Sequence, residues 1–292
     1  MNLLTFSQKA KISLFDKSGL TSAIFSINMG SYRLMTDSGT NYEIGRNEII
    51  TVAVENGRIL FKKNSRNQGN YKNVFFMQVT ETGSMSIKPV FPAFDIHRYQ
   101  GEFSVSVINE KLQIINIVDL EDYVAGVVES EGGQKANIEY FKTMAVICRT
   151  YALGHADRHA SEGFQLCDGV HCQVYLGMCI IRPEIIAGVK ATEKMVIVDS
   201  ENNLITAAFH SNCGGTTVNS ENVWTNPKSY LVSVHDTFCA GSAHANWEQI
   251  ISQEKWRQYL KITGFQCVES MTAEQLSFSQ PVRKIYYTIG KD

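Results

Sequence analysis

Three segments that follow one another almost without a spacer decide how this chain is read: DLEDYVAGVVESEGG (residues 119–133), IEYFKTMAVICRTYALGHADRHA (138–160) and EGFQLCDGVHCQVYLGMC (162–179). The first reads as a strand end, an apolar run and a turn carrying a carboxylate. In the second, Ile138, Phe141, Ala145, Cys148, Ala152 and His155 recur at spacings of 3 and 4, the stripe of a long amphipathic helix. Gly163 is expected to end it. Cys148 lies in the middle of that stripe and reads as a buried structural thiol, because a nucleophilic cysteine belongs at a helix start or a strained turn. The third segment is a loop rich in Cys and His.

Outward from this centre, residues 1–118 alternate apolar and polar groups in short runs: KISLF, AIFSIN, YRLMTD, ITVAVE, RILFKK, VFFMQVT, SMSIKPV, RYQGEFSVSVIN and KLQIINIVDL. Asn56-Gly57 and Asn109-Glu110 are the expected hairpin turns. Pro89 and Pro92 predict an edge or a linker. On the other side, a short helix is expected from Pro183, then two strands in KMVIVDSENNLITAAFHSN around Glu201-Asn202-Asn203. A strand in YLVSVHD, a helix capped by Asn246 and a last strand in VRKIYYTIGKD complete the reading. The predicted class is α+β: a β-rich region over 1–95, then a mixed domain over 96–292 with one long helix packed on antiparallel strands. The last strand stops abruptly at Asp292, so the C-terminus reads as truncated.

With 292 residues, 44% apolar and 19% charged, the chain is globular rather than disordered. A net charge of -2 gives no pull toward nucleic acid. No apolar run is long enough to span a membrane, and MNLLTFSQKAKISLF lacks the core of a secretory signal, so any leader is expected to lie outside this sequence. The seven cysteines all fall between residues 148 and 267. That distribution predicts one local site plus scattered thiols rather than a disulfide scaffold.

Among Glu121, Asp122, Glu129 and Glu131, Glu131 stands apart because it lies between an apolar run and Gly132-Gly133, where a substrate can approach the backbone. A carboxyl against apolar walls has a raised pKa and can donate a proton at neutral pH. The loop Cys167-Asp168-Gly169-Val170-His171-Cys172 supplies three soft ligands, with His155 or His159 available as a fourth. A Cys167–Cys172 disulfide and free thiols are the competing readings. The segment from Phe209 to Thr217, with His210 and Ser211, ends a predicted strand in glycines, where binding loops are built. No G-x-S-x-G elbow surrounds Ser211, and no H-E-x-x-H zinc signature is present. Trp224 and Tyr230 are candidates for stacking on sugar rings.

Taken together, RYQGEFSV, INIVDLEDYVAGVVESE, FKTMAVICRTYAL, LCDGVHCQVYLG, AFHSNCGGTTVNSENVW and YLVSV, in that order, resemble the stage II sporulation protein D / LytB family of cell-wall proteins. The resemblance implies a lytic transglycosylase acting on peptidoglycan glycan strands, with Glu131 as catalytic acid and base. It further implies a structural zinc near Cys167, His171 and Cys172, for which His159 is the candidate fourth ligand. Arg149 and Tyr151, in the RTY of the long helix, join His210, Ser211, Trp224 and Tyr230 as substrate-binding candidates, although Arg149 also suits bidentate pairing with a carboxylate. An extracytoplasmic location and other cell-wall hydrolases as partners follow from the same likeness. The alternative is a non-catalytic wall-binding or amidase-activating module.

Overall fold

The computed structural model describes residues 9–132, 136–242 and 250–262. The fold is α+β, as the sequence predicts. Thirteen strands occur among the described residues: β1 (Lys9–Leu14), β2 (Ser22–Met29), β3 (Tyr32–Thr36), β4 (Asn41–Ile44), β5 (Ile49–Glu55), β6 (Arg58–Lys63), β7 (Arg66–Tyr71), β8 (Asn73–Gln78), β9 (Ser84–Phe91), β10 (His97–Gln100), β11 (Glu102–Ile108), β12 (Lys111–Asp119) and β13 (Leu166–Cys167). They form a seven-stranded sheet ordered β13-β1-β12-β11-β8-β3-β4 and a six-stranded sheet ordered β10-β9-β2-β5-β6-β7. The strands after residue 95 are thus bonded into both sheets.

Alternation along the strands makes one face of each sheet apolar. In β12, Leu112, Ile114, Asn116 and Val118 are buried while their neighbours are not. The two inner faces meet through aromatic rings: Phe25 of β2 stacks on Phe76 of β8 at 4.7 Å, and Tyr42 of β4 meets Phe61 of β6 edge-on at 5.0 Å. The expected hairpin turns are present, with positive φ at Asn56 and Gly57 and at Asn109 and Glu110. Pro89 lies in β9, past the end of its pairing with β10 and opposite Ala23 of β2, next to a register shift in that ladder.

Three helices follow: α1 (Leu120–Glu131), α2 (Ile138–Gly154) and α3 (Pro183–Ala191). The first replaces the strand end and turn expected after Asp119, and it makes residues 127–131, which the sequence leaves open as extended or helical, the end of a helix. Asp119 caps α1 by accepting from Glu121 N, and Glu121 and Asp122 place negative charge in its first turn. Tyr123, Val124, Val127 and Val128 form its buried stripe; each fully buried valine contributes about 1.5 kcal/mol or more. Helix α2 is capped by Asn137 and ends at Gly154, nine residues before the expected stop at Gly163. A short 3-10 turn spans Ala160–Glu162, and Gly163 follows at φ 88°. Helix α3 begins at Pro183 as expected.

The two strands expected in residues 194–212 reduce to a single bridge between Val198 and Leu204. The chain divides into compact units at Ala208 and Phe209. In the second unit, the strand expected in YLVSVHD is likewise only a bridge, Thr216 to His235. Its helix, α4, is Gln253–Ile262. Asn246, the expected cap, and the last expected strand lie outside the described residues. Among the described residues no helix is long and apolar enough to cross a membrane.

Candidate active site

Glu131 is the last residue of α1, and its Oε1 accepts from Val174 N at 2.9 Å. Among the described residues no other hydrogen bond reaches this carboxylate. Being helical, residues 129–131 aim the two glutamates in different directions. Gly132 caps the helix, and a Cβ there would stand 2.6 Å from Val128 O, so glycine is required by close approach. That same Cβ would lie 3.4 Å from the Tyr140 ring. Tyr140 is therefore a neighbour of the Glu131 helix end; its hydroxyl pKa is raised by burial and then by its nearness to Cys148 and Glu131.

The loop after Cys172 is held by further contacts to α1 and to β12. Leu176 N donates to Ser130 Oγ at 3.1 Å. Tyr175 is wholly buried and donates to Asn116 Oδ1 at 3.2 Å, while Asn116 donates to the carbonyls of Gln100 and Glu102. Gly126 makes the crossing possible, because a Cβ on it would sit 2.1 Å from Gly177 O and 2.6 Å from the Tyr175 ring.

The upstream end of this loop is fixed by β13, which pairs parallel to β1 with Cys167 opposite Ser13. Asp168 accepts from the backbone N–H groups of Phe15 and Asp16. Burial pushes its carboxyl up to about 6 against the effect of those bonds. Because α2 stops at Gly154, the chain turns and brings His159 back over the loop. Cys172 Sγ lies 3.5 Å from His159 Nε2 and 3.6 Å from His171 Nδ1, and Cys167 Sγ lies 3.8 Å from His171 Nδ1. The donor atoms of His159, Cys167, His171 and Cys172 all fall within 4.8 Å of one another, so these four could hold one metal ion. The other nitrogen of His159, Nδ1, is 2.6 Å from Glu162 Oε1. His155 instead turns its Nδ1 to Tyr151 O and stacks on the Tyr151 ring, away from this group of donors.

Arg149 is 1% exposed and makes a bidentate pair with Glu121, at 2.9 Å from Nε and 2.5 Å from Nη2, with a further bond from Nη1 to Met195 O at 3.0 Å. Its donors are therefore committed to the fold. Tyr151 is half-buried, its hydroxyl accepts from Arg158 at 2.7 Å, and burial raises its pKa. Arg158 also donates to His171 O, tying that hydroxyl to the Cys/His loop. Cys148 is fully buried and pushed up to about 12 by burial, as a structural thiol should be. In the second unit, His210, Ser211 and Trp224 are exposed and Tyr230 is half-buried.

One residue with a central place carries no readable signal of it in the sequence. Glu129 accepts from three consecutive backbone N–H groups, Ile180 at 3.0 Å, Ile181 at 2.8 Å and Arg182 at 3.2 Å, and from Cys179 Sγ at 3.1 Å. It closes the far end of the loop. Glu162 differs in this respect: its i,i+3 spacing from His159 is a readable signal for a carboxylate partner.

Residues 108–198 match the stage II sporulation protein (SpoIID) family. This window contains α1, α2, Glu131 and all four Cys/His donors. The chain carries a SpoIID-type domain. It is 26% identical over 187 residues to the stage II sporulation protein D of Bacillus subtilis, a match covering 59% of this chain and 54% of that protein. It is 30% identical over 142 residues to an uncharacterized protein of Brachyspira hyodysenteriae, covering 48% and 38%. The chain thus spans about half or less of these relatives' lengths.

Proposed function

We propose that this SpoIID-type chain works outside the cytoplasm on bacterial cell-wall peptidoglycan, as a lytic transglycosylase with Glu131 as its single acid and base. The observation that carries the reading is the way Glu131 is held. One carboxylate oxygen is oriented by Val174 N–H, which leaves the other for a substrate oxygen. As a carboxylic acid, Glu131 protonates the glycosidic oxygen between N-acetylmuramic acid and N-acetylglucosamine, and the C–O bond breaks. As a carboxylate, it then takes the proton of the muramic acid 6-hydroxyl, whose oxygen closes on C1 to give the 1,6-anhydro ring and restores the acid. This route needs neither an attacking water nor the second carboxylate of a hydrolytic glycosidase. Two of the nearby acids are otherwise engaged, which supports that economy: Glu121 on Arg149 and Glu129 on its backbone cradle.

A structural zinc at His159, Cys167, His171 and Cys172 fits the donor set. Tetrahedral zinc with bonds of about 2.1 to 2.3 Å places neighbouring donors about 3.6 Å apart. The sulfur–nitrogen separations of 3.5 to 3.8 Å match. Glu162 on Nδ1 of His159 leaves Nε2 free to bind, the usual carboxylate–histidine support of a metal ligand. Bound there, the ion would supply a clamp, since four protein ligands leave no position for substrate. Trp224 and Tyr230, with His210 and Ser211, remain candidates for sugar contacts on the second unit, and Tyr151 on the first. Arg149 would act on substrate only through Glu121 and the placing of α1.

The test is incubation of the protein with isolated glycan strands and mass spectrometry of the products. Anhydro-muramic acid ends from the wild type are expected. Binding to sacculi without product would replace the enzyme reading with the wall-binding module.

A further inference from the structure

The second unit contains a pair of cysteines that the mechanism does not use. Cys213 Sγ lies 3.2 Å from Cys239 Sγ, and both side chains are half-buried. Two segments meet here, and several bonds hold them together. Asn212 donates through Nδ2 to Cys239 O at 3.1 Å and to Ser242 Oγ at 2.7 Å, and accepts at Oδ1 from Gly214 N at 2.7 Å. Asp236 N donates to Gly215 O at 3.0 Å, two residues along from Cys213. The sulfurs are therefore brought together by backbone and side-chain bonds on both flanks, not by a chance approach of two loops.

We propose that Cys213 and Cys239 are the two halves of a disulfide that staples the His210–Thr217 loop to the Asp236–Ser242 segment. Two thiolates on one tetrahedral zinc stand about 3.7 Å apart, which is wider than this pair. A disulfide needs the sulfurs to close by about 1 Å more, a shift that irregular backbone permits. The bond forms by thiol–disulfide exchange with an oxidised low-molecular-weight disulfide such as glutathione disulfide. One thiolate attacks a sulfur of the oxidant and expels a thiolate; the second cysteine, losing its proton, displaces the other half. The protein loses two electrons and two protons, and the oxidant leaves as two thiols. The contact between the two sulfurs holds Cys239 below the ordinary thiol range and pushes Cys213 up, so Cys239 is the first attacker. The consequence is a loop carrying His210 and Ser211 whose order depends on redox conditions. The inference rests on the second unit alone and stands whether or not Glu131 is catalytic.

The full chain is equilibrated in oxidising and in reducing glutathione buffers, alkylated under denaturing conditions and digested with trypsin. Cleavage after Lys194, Lys228 and Lys255 puts the two cysteines on separate peptides, 195–228 and 229–255. The expected result is a linked pair of these peptides in the oxidising buffer, released by reductant, with bound metal per chain the same in wild type and in the Cys213→Ser, Cys239→Ser double variant. Alkylation of both sulfurs in the oxidising buffer, linkage of either to another cysteine, or loss of one metal equivalent in the double variant would each overturn it. The linkage readout uses the wild type, so it does not depend on the variant folding.

Discussion

Val174 N donates to Glu131 Oε1 at 2.9 Å, two residues beyond Cys172, so the proposed acid and the Cys/His loop are joined by one backbone hydrogen bond. Whatever fixes Cys172 also fixes the direction of the Glu131 carboxylate. With Leu176 N on Ser130 Oγ, the loop contributes two N–H groups to the last turn of α1.

Removal of metal by a chelator, or Cys172→Ser, is expected to lower lytic activity by about ten- to a hundredfold, the usual cost of disturbing a metal's supporting shell. Far-UV circular dichroism should change little, because α1 and α2 carry their own caps. Elemental analysis of protein purified without chelator should find one zinc per chain. Metal-free protein of full activity would leave the loop to its own hydrogen bonds.

Glu129→Gln keeps the shape of the side chain but removes its charge, and with it the charge-assisted character of the bonds from Ile180, Ile181 and Arg182. Each such bond contributes about 1.5 to 3 kcal/mol. Hydrogen exchange at these three amides should quicken by about tenfold or more, while the strands of both sheets keep their protection. Unchanged exchange at residues 180–182 would mean that the cradle is not what holds this segment.

Arg149→Met removes a guanidinium that is 1% exposed and leaves Glu121 without its partner. Breaking a buried pair costs about 3 to 5 kcal/mol. The 26% exposure of the Glu121 side chain places the expected loss toward the lower end, about 3 kcal/mol, read as a shift in the urea midpoint. Arg149→Lys should recover only part of it, because an ammonium cannot reproduce the two parallel bonds. If Arg149→Met lost activity with no loss of stability, Arg149 would be contacting substrate instead.

The hairpins were legible because turns at Asn56-Gly57 and Asn109-Glu110 demand residues that tolerate positive φ, and the alternation on each side follows the pleat. Helix α1 is not decided by the sequence, because YVAGVV is a short apolar run rich in β-branched residues whose periodicity fits an extended or a helical segment equally. Its capping signals, Asp119 followed by Glu121 and Asp122, were in the sequence but were outweighed by that run. The sequence overextends helix α2 because its apolar stripe runs on to His155, past the helix stop at Gly154. Its early end is what turns His159 over the loop. The Glu129 cradle was illegible: its partners are backbone groups some fifty residues onward, and side-chain chemistry does not mark a backbone N–H.

Burial holds the imidazole of His97 below its ordinary value of 6.5, against the pull of Asp95 and a backbone hydrogen bond with Leu176. The unfolded chain therefore takes up this proton at a higher pH than the folded chain. Stability from this group is present above about 6.5 and is lost as the pH falls through that value toward the folded pKa. Urea midpoints measured from pH 7.5 down to about pH 5 should fall, and His97→Gln should flatten that slope. A wild-type slope that the substitution leaves untouched would assign the effect to other groups.

The central claim is that Glu131 moves the proton. The most direct measurement is the rate at which wild type and Glu131→Gln release 1,6-anhydro products from isolated glycan strands, at matched folding and metal content. Loss of a general acid and base costs about two to four orders of magnitude. The account predicts a fall of about a thousandfold with binding to strands retained; equal rates from the two proteins would contradict it.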